Sequence, residues 1–493
     1  MEFQAAPKES AVSARNDLGQ FLTPSPVADL MASMFDVRSN DIELLDAGAG
    51  TGALTAAFVR RLCGGERKPC RISVTAYELD TRLIECLERT LAECEKTCER
   101  SGIAFSATVL NEDFISAAAP VARGDFFATK LPSFNVAIAN PPYCKIRSSS
   151  AARLWLRSAG IETSNLYTGF VALIIKLLAA EGQLVAITPR SFCNGPYFKP
   201  FRADFLEKMS LRRLHLFESR SAAFSRDKVL QENIIIYGVK EDAKPEDVII
   251  STSSGSPHAE ITESLVPYRD VVSPSDPDQF IHLVVDEDHR NAKSAIGGLS
   301  ATLADIDLSV STGRVVDFRA RSFLRQQPDP STVPLIYPCH FAAGFVKWPK
   351  TTSRKPNAIV SDEMTRDLFV PSEVYVLVKR FTSKEERRRV VACIYDPEQI
   401  ATSSVGFENH LNYFHMNGSG LTMTLAKGLA AFLNSTVVDL YFRQFSGHTQ
   451  VNATDLRALK YPPRAKLERL GARIDDPAIA QTEIDDIVSK ELF

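Results

Sequence analysis

"LLDAGAGTGALT", residues 44–55, decides the fold. The apolar run 42–46 ends in an acid, Asp46. Gly48, Gly50 and Gly52 follow, and an apolar-periodic stretch over 52–63 begins at once. Strand, glycine turn and helix in direct succession are the opening of a βαβ unit. Glycines let the backbone bend tightly and come close to a ligand. Alone, the stretch also satisfies the degenerate pattern GxGxxG/A, so a nicotinamide dinucleotide stays open as its ligand. Asp46 argues the other way, because a carboxylate suits a cationic ligand and opposes a pyrophosphate.

Outward from this turn the alternation continues. Strands are predicted over 72–78, 105–110, 134–139 and 184–188, with helices over 81–100 and 165–180 between them; strands 211–217 and 233–239 close the sheet. This is a doubly wound α/β pattern, whose ligands lie beyond the carboxyl ends of the strands. "TAYELD" (75–80) ends the second strand in Glu78, placed to accept both hydroxyls of a ribose. "LNEDF" (110–114) ends the third with Asp113, an acceptor for an exocyclic amine, and Phe114, a wall for a purine. One such acid is ordinarily a helix cap. Three consecutive strand ends that each carry one describe a pocket for an adenosine with a positively charged sulfonium tail. The fourth, "FNVAIANPPYCKIRSS" (134–149), runs a buried strand into Asn140-Pro141-Pro142-Tyr143. Proline cannot donate to the ladder and terminates a strand. A turn accounts for Asn-Pro and leaves the rest of the tetrad unexplained.

The chain of 493 residues is long enough for two domains, and 45% hydrophobic with 24% charged residues is a globular composition. No apolar run reaches membrane-spanning length, since 170–180 is interrupted by Lys176. The polar, mixed-charge residues 1–17 do not read as a signal peptide. Nine cysteines without a CxxC pair point to a reducing, bacterial-type cytoplasm. Cys86, Cys94 and Cys98 fall on a charged helical stretch, and no metal site is expected. A net charge of −3 leaves nucleic-acid binding to local basic patches. Composition turns Ser-, Pro- and Asp-rich near Glu241. The expected domains are therefore 1–243, catalytic, and 244–493, a mixed α+β unit.

Asn-Pro-Pro-Tyr in fourth place after the three acids resembles motif IV of the S-adenosylmethionine-dependent amino-methyltransferases. "GQFLTPSPVADLMASMF" (19–35) and "FSRDKVLQENIIIY" (224–237) extend the likeness to the γ-class DNA adenine-N6 methyltransferases of type II restriction–modification systems. The resemblance implies a Rossmann-like methyltransferase domain that binds S-adenosyl-L-methionine through Thr23, Pro24, Asp46, Ala47, Gly48, Gly50, Glu78, Asp113, Phe114 and Pro142. Asn140, Pro141 and Tyr143 would hold an adenine flipped out of the duplex, with Phe224 on its other face. An amide oxygen and the Pro141 carbonyl accept hydrogen bonds from the amine and aim its lone pair at the methyl group.

In the second half, "VSTGRVVDFR", "VLVKRFTSKEERRR", "ENHLNYFH" and "SGHTQVNATDLRALKYP" resemble the target-recognition domain of the PstI-type branch. Double-stranded DNA is then the partner, with a cognate restriction endonuclease linked in function but not necessarily bound, and nucleoid association follows. Lys379, Arg380, Arg387, Arg388 and Arg389 are expected on phosphates. His448, Gln450 and Asn452 are expected beside the target base, although Asn452 also reads as a helix cap. Two rival readings fit the same residues. Tetrads of this kind also serve methylation of protein glutamine or RNA guanine, and a non-catalytic DNA-binding subunit would keep the same core.

Overall fold

The computed structural model describes residues 22–217, 232–254, 259–273, 276–382, 386–445, 450–475 and 479–493. They form two compact units, divided between Val285 and Asp286. Among them no helix is long and apolar enough to cross a membrane.

The first unit follows the expected alternation: α1 (Ser25–Ser33), β1 (Asp41–Ala47), α2 (Ala53–Gly64), β2 (Arg71–Tyr77), α3 (Thr81–Arg100), β3 (Ala104–Leu110), α4 (Phe114–Ala122), β4 (Phe134–Ala139), α5 (Ala151–Ser158), α6 (Leu166–Leu177), β5 (Leu178–Pro189), α7 (Lys199–Lys208), β6 (Ser210–Phe217), β7 (Asn233–Val239), β8 (Asp247–Ser253) and β9 (Thr262–Pro267). These nine strands make one sheet in the order β3-β2-β1-β4-β5-β7-β6-β8-β9. β3, β2, β1, β4 and β5 are parallel, and β7 runs antiparallel between β5 and β6. The chain moves outward from β1 to β3 and then returns to β4. Strand order therefore reverses between β1 and β4, and a crevice opens there.

Alternation along the strands sorts side chains onto two covered faces. Leu44, Val74, Val136, Ile138, Val185 and Ile187 pack with α1, α2 and α3. Leu45, Ala47, Ala137, Ala139, Leu184 and Ala186 pack with α4, α6 and α7. With both faces covered, β4 is apolar from Val136 to Ala139, as a buried parallel strand tends to be.

Two expectations are corrected. The helix expected over 165–180 ends at Leu177, and Leu178 begins β5. Ladder bonds win over the local helical preference of Leu178-Ala179-Ala180, with Phe134 paired to Leu178 and the Glu181 N–H donating to Lys240 O. The expected boundary at 243/244 also fails: β8 pairs in parallel with β6, and β9 follows it at the edge. Ser251 and Ser253, read as loop composition, are buried partners of His215, each 2.9 Å from one ring nitrogen. Burial lowers that imidazole to about 4, so it is a neutral core group.

The second unit is mixed, as expected. A six-stranded sheet contains Tyr375–Lys379 flanked by Ala392–Tyr395 and Leu411–His415, and a separate five-stranded sheet contains Ser404–Phe407. Helices Met423–Leu433, Thr436–Phe445, Ala453–Ala458, Arg464–Ala472 and Gln481–Leu492 follow.

Candidate active site

A cavity of about 280 Å³ lies beyond the carboxyl ends of β1 to β4. Gly48 and Gly50 from the first turn, Glu78 after β2, Asp113 and Phe114 after β3, and Asn140 and Pro142 after β4 all line it. The three strand ends expected around the donor and the fourth, expected at the acceptor, thus meet at one cavity.

The glycine turn is held from behind, with the Gly48 and Ala49 N–H groups donating to Tyr77 O at 3.0 and 2.8 Å. Gly48 and Gly50 have φ of 83° and 59°, a conformation that side chains disfavour. Gly52, at φ 81°, shares that conformation and serves packing as well. A Cβ there would stand 2.9 Å from Leu87 and 3.1 Å from Thr90 on α3.

Asp46 is fully buried. Its Oδ2 accepts from Thr55 Oγ1 at 2.7 Å, while Oδ1 has no hydrogen-bond partner. Burial pushes the carboxyl up to about 7; Thr55 opposes this and nearby Glu78 adds to it. An orphaned acid oxygen beneath a glycine turn fits a cationic ligand. Glu78 accepts from the N–H groups of Gly50 and Asp80, both at 2.7 Å, and burial raises its pKa. Asp113 is both things the sequence allowed. Its Oδ1 caps α4 through the Ile115 N–H at 3.2 Å, and the residue faces the cavity. Phe114 packs on Phe170 at 5.0 Å and edge-on to Tyr77 at 5.1 Å, an apolar wall at purine scale. Glycine turn, orphaned acid, second acid and aromatic wall together fit S-adenosyl-L-methionine.

Some expected cofactor residues stand back from this cavity, the buried Asp46 among them. Ala47 gives its side chain to the core. Pro24 caps α1, its carbonyl accepting from the Ala28 N–H at 3.0 Å. Leu22 lines the cavity instead, and the Thr23 hydroxyl turns to the tetrad, accepting from Asn140 Nδ2 at 3.0 Å. Leu79, Leu83, Ile115, Ala152, Leu166 and Phe170 add to the apolar lining. Phe170 carried no signal, because a residue inside an all-apolar helix has nothing local to mark it as a wall.

In the tetrad Pro141 is buried and Pro142 faces the cavity. The Tyr143 hydroxyl donates to Asn140 Oδ1 at 3.0 Å and also approaches Ile187 O at 3.3 Å. Burial raises the Tyr143 pKa, so the phenol keeps its proton and remains a donor. Asn140 is thus held at both ends of its amide, and its orientation is fixed. The Tyr143 ring stands edge-on to Tyr167 at 6.3 Å. Phe224, the other expected stacking residue, lies outside the described residues.

In the second unit, two stretches 70 residues apart meet. Phe381 and Gln450 form an antiparallel bridge, and the Val451 N–H donates to Arg380 O at 2.7 Å. This gathers Lys379, Arg380 and Gln450 beside Asn452. Asn452 caps the following helix, its N–H donating to Asp455 Oδ2 at 2.9 Å. His448 lies outside the described residues. The arginine run is corrected. Arg389 is 1% exposed; its N–H donates to Asp439 at 2.6 Å and its Nε to Thr382 Oγ1 at 3.3 Å. Arg388 is half-buried and donates to Asn434 O at 2.8 Å. Of the three, Arg387 is the exposed one. Internal acceptors fold the run inward, so a count of charges overstated its reach to phosphate.

The Eco57I restriction-modification methylase family matches residues 77–224. The chain is 45% identical to the type II methyltransferase M.PstI of Providencia stuartii over 478 residues, covering 97% of this chain and 93% of that protein. It is 43% identical to the type II methyltransferase M.BsuBI of Bacillus subtilis over 482 residues, covering 96% and 93%. Among solved structures it is similar to the DrdV–DNA complex, with a TM-score of 0.48 at 12% identity over 93% of this chain and 57% of that one. The sequence match runs through both compact units and takes in every strand end around the cavity, so the chain belongs to the type II restriction–modification methyltransferases of the M.PstI and M.BsuBI family, enzymes that use S-adenosyl-L-methionine.

Proposed function

We propose that the protein methylates N6 of adenine at a specific site in double-stranded DNA, taking the base out of the helix to do so. The observation that carries this reading is the amide of Asn140, clamped between Thr23 and Tyr143 at the rim of the donor cavity. S-adenosyl-L-methionine supplies an electrophilic methyl group when bound. Glu78, Asp113 and Phe114, which line the cavity with Gly48 and Gly50, would hold it, and the buried Asp46 would supply negative charge behind the glycine turn. Asn140 Oδ1 and the Pro141 carbonyl are the acceptors for the hydrogens of the target amine. Holding the amine this way directs its lone pair and stabilises charge that develops during transfer.

An adenine amine inside a duplex cannot reach such a site. Extrusion costs a few kcal/mol, offset by stacking of about 1–3 kcal/mol per base, here on Tyr143 and Phe224. Relatives that match across both units favour DNA over protein glutamine or RNA guanine, since the second unit then has a target to read. Protection of host DNA from a cognate endonuclease is the corresponding role. Expression in a host lacking adenine methylation, followed by single-molecule sequencing, tests the reading. N6-methyladenine confined to one sequence motif is expected. Methylated cytosine, or no DNA methylation, refutes it.

A further inference from the structure

In the second unit a short turn, Glu408-Asn409-His410, joins strand Ser404–Phe407 to strand Leu411–His415. Glu408 is fully buried, yet both its carboxylate oxygens serve one neighbour. Oε2 accepts from the His410 N–H at 2.9 Å, and Oε1 lies 2.5 Å from His410 Nδ1. The imidazole is therefore fixed in rotation, with Nδ1 turned inward and Nε2 on the far edge of the ring. Its side chain is 44% exposed. The turn itself is tightly seated. The Gly313 N–H donates to Leu411 O at 2.8 Å, and a Cβ on Gly313 would fall 2.2 Å from Glu408 O. Only glycine allows that approach.

The His410 ring packs against Phe381 with centroids 4.7 Å apart and planes tilted by 43°, and Phe381 is a large aromatic left 41% exposed. Arg380 lies over the same Phe381 ring at 5.8 Å, its Nη1 donating to Asn409 O at 3.2 Å. Gln450 is bridged to Phe381 by the backbone. A cation, two partly exposed rings and an amide thus share one patch, held by a carboxylate that would be costly to bury for packing alone.

We propose that His410, aimed by Glu408 and seated on Phe381, is a specificity-determining residue that contacts a base edge of the DNA target. This rests on the second unit being the DNA reader. A phosphate contact tolerates a mobile side chain, whereas a base edge discriminates only against a donor or acceptor held in place. His410 is held by two bonds to one buried acid. The adjoining Phe381 ring offers an apolar surface of the kind that meets a thymine methyl, and Gln450 supplies a second hydrogen-bonding group.

Full-length wild-type, His410→Ala and Glu408→Gln proteins would be incubated with S-adenosyl-L-methionine and a duplex library randomised around the wild-type site. Methylation of each sequence would then be read by single-molecule sequencing. Thermal unfolding and donor binding, measured in parallel, identify a variant that has merely lost its fold. His410→Ala is expected to lose discrimination at one base pair by about 5- to 150-fold, with preferences elsewhere intact. Glu408→Gln, nearly isosteric, should relax the same position by a smaller factor. An unchanged profile in a folded His410→Ala protein would reduce the patch to packing, and a loss equal across all sequences would make it a phosphate grip; either overturns the proposal. A wild-type enzyme with no site preference would instead remove the reading on which the proposal rests.

Discussion

The donor cavity and the Arg380–Gln450 patch are assembled on opposite principles. Every polar wall of the cavity stands at the end of a strand, in the order in which the strands occur, so local sequence carries its geometry. The patch is joined by one backbone bridge between segments 70 residues apart and by a turn from a third. Its members have no periodicity in common. A site that inherits its geometry from sheet topology can be read one strand at a time; a site made by tertiary pairing cannot.

The sharpest way to break this contrast is at Asn140. If topology alone delivers the catalytic amide, Asn140→Ala removes an acceptor without disturbing the cavity. Methyl transfer should fall by at least about 10²–10³-fold, with donor and DNA affinity within several-fold. Rapid-quench kinetics beside equilibrium binding checks this, and wild-type-like turnover would remove Asn140 from its role.

Asp46 comes next, through pH. Its folded carboxyl sits at about 7 against an ordinary 3.8. Between those values the folded chain holds a proton that the unfolded chain has lost. Stability without donor therefore falls as pH rises across that window and levels off above it. A cationic donor favours the ionised form, so donor binding should tighten as pH rises through about 7 and release a proton. Glu78, also raised chiefly by burial, acts in the same direction. Asp46→Asn should weaken donor binding by about 10- to 100-fold and flatten most of its pH dependence. Calorimetry in buffers of different ionisation enthalpy measures the proton directly. A proton release unchanged in the variant would locate the titration elsewhere.

These two cases show what was legible and why. Glycine turn, acids and tetrad each had a strand end to mark them. The boundary was misread because Ser251 and Ser253 look like loop residues until His215 is placed between them. Phe170 and Leu22 had no mark at all. Thr23 was assigned to the donor, yet its hydroxyl holds Asn140. In the second unit the arginine run misled for one reason: a sequence shows charge but not the carbonyls and carboxylates that absorb it.

Tyr143 separates two contributions within the topological site. Tyr143→Phe keeps the ring and loses the hydroxyl's bond to Asn140, worth about 0.5–1.5 kcal/mol, so turnover should fall several-fold with extrusion unchanged. Tyr143→Ala also loses stacking of about 1–3 kcal/mol. With 2-aminopurine at the target position, wild type and Tyr143→Phe should give a strong fluorescence gain on binding and Tyr143→Ala a weaker one. Equal gains in all three would take the ring out of base extrusion.

The smallest effect on DNA binding belongs to the arginine run, where neighbouring residues should behave oppositely. Arg389 is buried against Thr382 with its backbone tied to Asp439. Arg389→Ala should cost about 1–3 kcal/mol of stability by taking the donor from the buried Thr382 hydroxyl oxygen, seen as a lower urea midpoint. Arg387 is exposed two positions away. Arg387→Ala should leave stability within about 0.5 kcal/mol. If it meets a phosphate, the slope of log K against log salt should become shallower by about 1, with equal loss on all sequences. A slope change in Arg389→Ala at wild-type stability would contradict its burial. An unchanged slope in Arg387→Ala would take the whole run off the DNA and leave Lys379 and Arg380, next to the Phe381–Gln450 bridge, as the cations of this stretch that hold it.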